Sequence, residues 1–393
     1  MDKNGSGGRR LRLCRVVTVP STLALLLRKQ IEHILAAGID LALVSSSGPE
    51  LDEIRSSLRV RCFAIPMVRK NAPLLDLWAL LALTRFFRRE RFDIVHSSTP
   101  KAGLLAALAG RVAHIPVRIH TYTGQVWAEM HGLMRWVTRE SDKIISRLNT
   151  HCYADSYSQR KFLVDDKVVD HQRISVLCEG SVSGVDLERF DPTLPTWRRA
   201  ETRKRLGIGE TSLVIIFVGR LTRDKGITEL IEAFRTLQQF HKDVDLVLVG
   251  PYESIRDTLP AEILKEVSAN IRIHSVGFAS RPEEYLAIAD IFCLPSYREG
   301  FGSVVIEAGA MNLPSVASRV TGLVDAVVDG ETGIVVPAKD PMALARALEE
   351  MIESPELRLR MGQSARQRAV QHFDAAMINQ AVVDEYFRLA RLL

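Results

Sequence analysis

The chain has 393 residues, 47% of them hydrophobic, 25% charged and 6% aromatic, with a formal net charge of +5. That is the make-up of an ordinary large soluble protein of about two domains, at roughly 100–200 residues each. Five scattered cysteines, an odd number without a Cys-x-x-Cys pair, speak against a disulfide framework or a cysteine metal site and for reduced, mostly buried thiols.

Apolar strand-like runs alternate with helical periodicity along the whole chain, and no self-similar repeat interrupts the rhythm. In the first half strands are predicted at 13–17, 41–44, 94–96, 117–120 and 174–177, with helices at 23–36, 74–89, 102–112 and 133–148. Residues Phe190 to Trp197, with two prolines and no apolar period, read as the connector between domains. The second half predicts strands at 213–218, 246–249, 271–276, 291–294, 315–317 and 333–336, and ends in a helical segment, 373–393. Strands alternating with helices argue for an α/β protein of two doubly wound, parallel-sheet domains.

In such sheets ligands bind at the carboxyl ends of the strands, so the loops there carry the chemistry. His120 ends the strand Val117-Arg-Ile-His and precedes Thr121-Tyr-Thr-Gly-Gln125. A lone histidine is usually structural, the reading kept for His96 and His114, but position makes His120 a candidate. The loops His96 to Lys101 and Glu179 to Asp186 sit at comparable strand ends, and all these loops are expected to converge on one cleft between the domains.

Two motifs in the second half are stronger. Val218-Gly-Arg-Leu-Thr-Arg-Asp-Lys-Gly226 joins a strand to an amphipathic helix and presents Arg220 and Lys225. Arginine offers a planar fork and lysine a point charge to phosphate oxygens, although two surface cations on a connecting loop would look the same in isolation. Arg298-Glu-Gly-Phe-Gly-Ser-Val-Val-Ile-Glu307 sets Glu299 at a strand end and Glu307 in the first turns of a helix. Gly300 and Gly302 between them free the backbone to approach a ligand, and helix N-termini favour anions. Two carboxylates beside an anion site suggest sugar hydroxyls as their partners.

Other signals are demoted. Asp243-Val-Asp245 resembles a metal-holding Asp-x-Asp but falls at the amino end of its strand, the wrong edge for substrate, and reads as turn chemistry. No Gly-x-Gly-x-x-Gly follows the first strand, so a dinucleotide oxidoreductase lacks its fingerprint. The ten histidines show no ligand spacing.

Residues 1–200 carry a net +10 and residues 201–393 a net −5. The densest basic clusters are Arg69-Lys70 and Arg85-Phe-Phe-Arg-Arg-Glu-Arg91. The second reads either as an attractor for an anionic membrane surface or as a core-facing helix with a solvated basic end. Nucleic acid ranks low, because no recognition motif accompanies the charge. The run Leu77 to Leu83 falls far short of the ~20 residues of a bilayer span, the first ten residues read as flexible and polar, and Leu23 to Leu27 is too short for a signal h-region. The expectation is a cytoplasmic protein, peripheral on the inner face of the membrane.

With these motifs in hand, the chain resembles the retaining glycosyltransferases of family 4, which have the GT-B architecture of two Rossmann-like domains facing across a cleft. Glu299 to Glu307 is similar to that family's Glu-x7-Glu motif, and Gly219-Arg220 with Lys225-Gly226 to its diphosphate site. Ile65 to Arg69, His96 to Gly103, Val117 to Gly124 and Gly180 to Asp186 look most like bacterial enzymes that extend polyprenyl-diphosphate-linked glycans. The resemblance implies an acceptor-binding domain over 1–195, a nucleotide-sugar domain over 196–372, and a final helix, 373–393, packing back on the first.

It further implies that Arg220 and Lys225 neutralise the donor diphosphate, that Glu307 binds the ribose and that Glu299 contacts the sugar. The amides of Gly302, Ser303 and Val304 would add to the anion site, Gly277 and Phe278 would face the base, and His120 would stand on the acceptor side. The implied reaction moves a hexose or N-acetylhexosamine from a nucleotide sugar, a UDP sugar by the same resemblance, to a lipid-linked saccharide with retention and without a metal or other cofactor. Where the family often has Gly-Gly after the first strand, this chain has Pro20-Ser21-Thr22. The alternatives are a nucleotide-sugar epimerase of the same fold, transfer to a soluble acceptor, and a non-catalytic nucleotide-sugar-binding protein.

Overall fold

Strand sequences as apolar as Leu213-Val-Ile-Ile-Phe-Val218 need cover on both faces, and every residue of this run except Leu213 is buried. The computed structural model describes residues 9–68, 72–193, 196–253 and 257–392. They form two compact units, one of residues 9–155, 160–178 and 375–392, the other of residues 156–159 and 179–374.

The first unit runs β1 (Arg12–Val16), α1 (Arg28–Ala36), β2 (Asp40–Ser45), α2 (Pro49–Leu58), β3 (Arg61–Ala64), α3 (Pro73–Glu90), β4 (Ile94–Ser98), α4 (Pro100–Val112), β5 (Val117–Tyr122), α5 (Gly132–Leu148), β6 (His151–Ala154), α6 (Tyr157–Asp165) and β7 (Ile174–Ser175). Its sheet has the order β3-β2-β1-β4-β5-β6-β7, parallel throughout. The order in which strands are added reverses between β1 and β4, which opens a crevice at their carboxyl ends.

The second unit holds α7 (Thr196–Leu206), β8 (Leu213–Val218), α8 (Ile227–Leu237), β9 (Val244–Val249), α9 (Ala261–Ala269), β10 (Ile273–Gly277), α10 (Glu283–Leu286), β11 (Ile291–Leu294), α11 (Ser303–Ala310), β12 (Ser315–Ser318), α12 (Leu323–Ala326), β13 (Gly333–Val336), α13 (Pro341–Glu353) and α14 (Pro355–His372). Its order, β10-β9-β8-β11-β12-β13, puts the switch between β8 and β11. The last helix, α15 (Ala375–Ala390), belongs to the first unit and packs on α1.

All six strands predicted for the second half are present. In the first half β3 and β6 escaped prediction, because Arg-Cys-Phe-Ala and His-Cys-Tyr-Ala are too short to show a period of two. The helix expected over 23–36 is broken: Thr22–Leu26 forms a π turn and α1 begins only at Arg28. The first unit's main run ends at Cys178, not in the 190–197 connector, two of whose residues, 194 and 195, lie outside the described ones. The loop Glu179 to Asp186 accordingly belongs to the second unit, where the Val185 N–H donates to Phe373 O at 2.7 Å.

The basic end of α3 resolves as a core helix with a solvated charged rim. Phe86 and Phe87 are buried with Phe92, their rings 5.4–6.1 Å apart, while Arg85, Arg88 and Arg91 face solvent. Burying each ring contributes about 2 kcal/mol, so these aromatics hold the fold and are not free for a membrane. Arg69-Lys70 and the first eight residues lie outside the described residues. No helix among the described residues is long and apolar enough to cross a membrane. The five cysteines are free thiols, three of them buried, and burial pushes the Cys152 thiol up to about 12.

Candidate active site

In the second unit the loop after β8 and the loop after β11 are drawn together by a glycine. Gly226 has φ +71°, and a Cβ there would stand 2.1 Å from Pro295 O, so only glycine lets α8 start this close to the β11 loop. The contact continues outward. The Tyr297 N–H donates to Asp224 O at 2.9 Å, and Arg298 pairs with the Asp224 carboxylate at 2.8 Å. Lys225 forms an ion pair with Glu299, whose carboxylate also accepts from Ser296 Oγ at 2.8 Å. The two cation and carboxylate motifs of the sequence are therefore one assembly, about four-fifths shielded from solvent at Lys225 and Glu299.

Asp224 is the brace of this assembly. Its carboxyl is also hydrogen-bonded by Thr222 Oγ1 at 2.6 Å. Burial opposes its charge, but the Thr222 bond and the Arg298 guanidinium outweigh burial and hold it below the usual carboxylate range. Asp257 accepts from the Asp224 N–H at 2.5 Å, and its own carboxyl is raised, chiefly by burial. Arg220 is more open, with Glu253 at 3.6 Å as its ion-pair neighbour.

Beside this lies the start of α11. Gly302 caps the helix at φ +90°, where a Cβ would meet Leu323 at 2.6 Å. The Val305 N–H is taken by Gly302 O at 2.8 Å, whereas the N–H groups of Ser303 and Val304 belong to the turn that has no intrahelical acceptors. Glu307 follows one turn on. Burial raises its carboxyl to about 7; Arg189 pulls it down and Glu283 pushes it up. Arg189 is itself fixed by Glu283 at 2.8 Å and by Ser280 O at 2.7 Å. Gly277 ends β10 with φ +75°, and Phe278 after it is largely exposed.

His120 lies in the first unit, 2% exposed and inside β5, which runs two residues beyond it to Tyr122 rather than ending at the histidine as the sequence suggested. Its Nδ1 is 2.9 Å from Ser97 Oγ, its ring meets Tyr122 edge-on at 4.6 Å, and α4 passes it at Gly103, where a Cβ would come within 2.4 Å of the imidazole. Burial, then the charge of Arg15, lowers it to about 3, so it is neutral at physiological pH. His96, read as structural, is the hub of a buried network: Nε2 to Thr121 Oγ1 at 2.7 Å, Nδ1 to Tyr386 Oη at 2.6 Å, and a contact with Arg15.

Sequence reasoning missed Asp224, Ser296, Arg298 and the Arg189–Glu283 pair. The first three lie in or beside the quoted motifs, but their pairing exists only once two loops meet. Asp245 is not turn chemistry. It is a buried β9 residue held by His274 at 2.7 Å and Arg272 at 3.1 Å, which depress its carboxyl. One His–Glu–Glu group among the described residues, His241 with Glu349 and Glu353, has metal-ligand spacing, formed by residues too distant in sequence for any local pattern.

A parallel-sheet unit with paired cations, carboxylates and a helix N-terminus at its switch point is a site built for an anionic ligand. The glycosyl transferases group 1 model matches residues 198–368 and the glycosyltransferase family 4 model residues 26–189. The chain belongs to glycosyltransferase family 4 and has the GT-B fold. It is 32% identical over 367 residues to the capsular polysaccharide biosynthesis glycosyltransferase CapM of Staphylococcus aureus, covering 93% of this chain and 94% of that one. It is 26% identical over 344 residues to the UDP-Gal:alpha-D-GlcNAc-diphosphoundecaprenol alpha-1,3-galactosyltransferase of Escherichia coli, covering 86% of each. Among solved structures, Anabaena HepE in complex with UDP and glucose superposes with a TM-score of 0.82 at 18% identity, over 96% of this chain and all of that one.

Proposed function

We propose that this glycosyltransferase moves a hexose or N-acetylhexosamine from a UDP sugar to a polyprenyl-diphosphate-linked saccharide at the membrane, with retention of configuration, in the synthesis of a cell-surface polysaccharide. One observation carries the reading: Lys225 and Glu299 are locked together beside the first-turn amides of α11, with Arg220 on the same loop as Lys225. The likeness to the galactosyltransferase that acts on GlcNAc-diphosphoundecaprenol supports the acceptor class, that to CapM supports the polysaccharide, and the UDP complex of HepE supports the donor.

In the reaction the bond between the sugar's anomeric carbon and the diphosphate oxygen breaks, and negative charge grows on the leaving group. Arg220, Lys225 and the amides of Ser303 and Val304 meet that charge without reorganising, which lowers the barrier more than it tightens substrate binding. With two cations and helix dipoles present, the chemistry needs no metal. Glu299 contacts the donor sugar, Glu307 accepts from the ribose hydroxyls, and Gly277 with Phe278 borders the base. The acceptor hydroxyl attacks the anomeric carbon on the face the diphosphate leaves and passes its proton to the departing diphosphate oxygen. Neutral His120 is assigned to the acceptor side, where it offers a hydrogen bond without adding charge.

The test is to supply bacterial membranes holding lipid-linked acceptors with a panel of nucleotide sugars and to determine the product's anomeric configuration by NMR. A glycolipid with the donor's configuration is expected. An inverted product, or an epimerised donor without transfer, overturns the proposal.

A further inference from the structure

The seven residues around the start of α5, His131 to Val137, are all exposed, with Arg135 laid over the Trp127 ring at 5.6 Å, so the first two turns of the helix present most of their surface to solvent. Four of them are large and apolar: Leu133, Met134, Trp136 and Val137, at 73, 50, 59 and 43% exposure. A water-facing helix end would be polar, and a surface of this kind marks a contact the isolated chain does not satisfy. The same layer offers a second such element. α3 packs on α4 and α4 on α5, and the exposed stripe of α3 is Leu74, Leu77, Trp78 and Leu81, at 51–86% exposure. Helices antiparallel to their strands begin at the carboxyl edge of the sheet, so both apolar ends stand on the side where β4 and β5 deliver His96 to Lys101 and His120 to Gly124.

Charge decides what these ends fit. Arg85 and Arg88 continue the α3 stripe, Arg135 stands among the apolar residues of α5, and an open groove of about 310 Å³ is bordered by Trp78, Leu81, Arg85 and Arg89. Among the described residues the acids nearby are engaged: Asp76 by Lys101 at 2.8 Å, Glu90 by Arg12 and Arg61, Glu140 by Lys143, and Glu129, exposed just before the helix, is not free either. Tryptophan and aliphatic side chains with arginine and no free carboxylate suit the boundary between acyl chains and anionic headgroups, where interfacial helices sink roughly 5–10 Å. Two apolar ends separated by one intervening helix, about 16–20 Å at ordinary interhelical distances, suit a plane better than a single peptide groove.

We propose that the exposed first turns of α5, together with the first half of α3, insert into an anionic lipid surface and seat the carboxyl edge of the first unit's sheet on the bilayer. The inference rests on the reading that the acceptor is lipid-linked and adds the elements that reach it. Neither element is the Arg85–Arg91 cluster that the sequence suggested; the arginines there supply headgroup contacts while their phenylalanines stay in the core.

The experiment compares wild type, Leu133→Ser/Trp136→Ser and Leu77→Ser/Trp78→Ser in sedimentation with vesicles of phosphatidylcholine alone or mixed with phosphatidylglycerol. Quenching of tryptophan fluorescence by brominated acyl chains is read alongside. All replaced side chains are exposed, so the thermal midpoint and UDP binding are expected to be unchanged. Wild type should bind the anionic vesicles with quenching, and each double variant should bind them on the order of a hundredfold more weakly. Equal binding of variant and wild type overturns the proposal. So does a loss of self-association in the variants with vesicle binding intact, which would assign the face to a second copy of the chain. Vesicle binding that is lost in the variants, while no lipid-linked acceptor is ever glycosylated, would leave the docking face standing and remove the acceptor reading instead.

Discussion

Replacing Lys225 with alanine tests the centre of the site. The ammonium is mostly shielded from solvent and its ion-pair partner among the described residues is Glu299, which keeps Ser296 Oγ at 2.8 Å when lysine is gone. Two effects separate. Losing one preorganised charge aimed at the leaving group costs about 10²–10³ in kcat, or roughly 3–4 kcal/mol of transition-state stabilisation. Leaving a half-buried carboxylate without its counterion costs about 1–3 kcal/mol of folding stability, a sum that a two-unit protein can lose and stay folded. The assay is kcat at saturating acceptor with a radiolabelled UDP sugar, beside UDP affinity by calorimetry and urea unfolding. Lys225→Arg should recover part of the rate. Lys225→Ala combined with Glu299→Gln should regain stability without regaining rate, because the orphaned charge is removed but the leaving-group cation is not restored. Near-wild-type turnover in folded Lys225→Ala would refute the role assigned to this residue.

Glu307 makes the site pH-sensitive. Its carboxyl is raised to about 7, above an ordinary 4.5, so its stabilising contribution is complete below about pH 4.5 and is lost as pH rises through about 7. The apo protein should therefore melt lower at pH 8 than at about pH 6, and Glu307→Gln should flatten that slope in calorimetry. UDP binding should run the other way, tightening with pH in wild type as the carboxylate forms and showing no such trend in Glu307→Gln. Gly226→Ala forces a Cβ against Pro295 O and a positive φ on alanine, so a loss of about 2–4 kcal/mol in urea unfolding and of most activity is expected. Asp224→Asn weakens the Arg298 pair and should lower kcat by about tenfold in the transfer assay and stability by about 1–3 kcal/mol in urea unfolding. Gly103→Ala pushes a methyl into the His120 ring, and turnover should fall while UDP affinity, set by the other unit, stays the same.

Much of the site was legible from spacing. A strand run followed by Gly-Arg and Lys-Gly, and two glutamates eight residues apart around a glycine turn, place charges at strand ends whatever packs around them. Other parts were not. The engagement of Lys225 with Glu299 depends on Gly226 touching Pro295, a contact across 69 positions that no local pattern encodes. The raised carboxyl of Glu307 reflects burial, which a helical period cannot supply for one residue. The Phe86-Phe87 pair and the Leu133 to Val137 segment show the same limit from opposite sides: both are apolar next to arginine, and only the packed layer buries one and leaves the other in solvent.

The sequence by itself determined the layered architecture, the strand order of chemistry along the chain and the residue types at each carboxyl edge, because hydrophobic period and turn residues act locally. Tertiary structure alone decided which charges neutralise each other, which acids keep their protons and which apolar faces remain unpaired. Those properties come from distance and exclusion of water between segments that the chain brings together only when folded, as Arg15, His96 and Tyr386 are brought together from β1, β4 and the final helix.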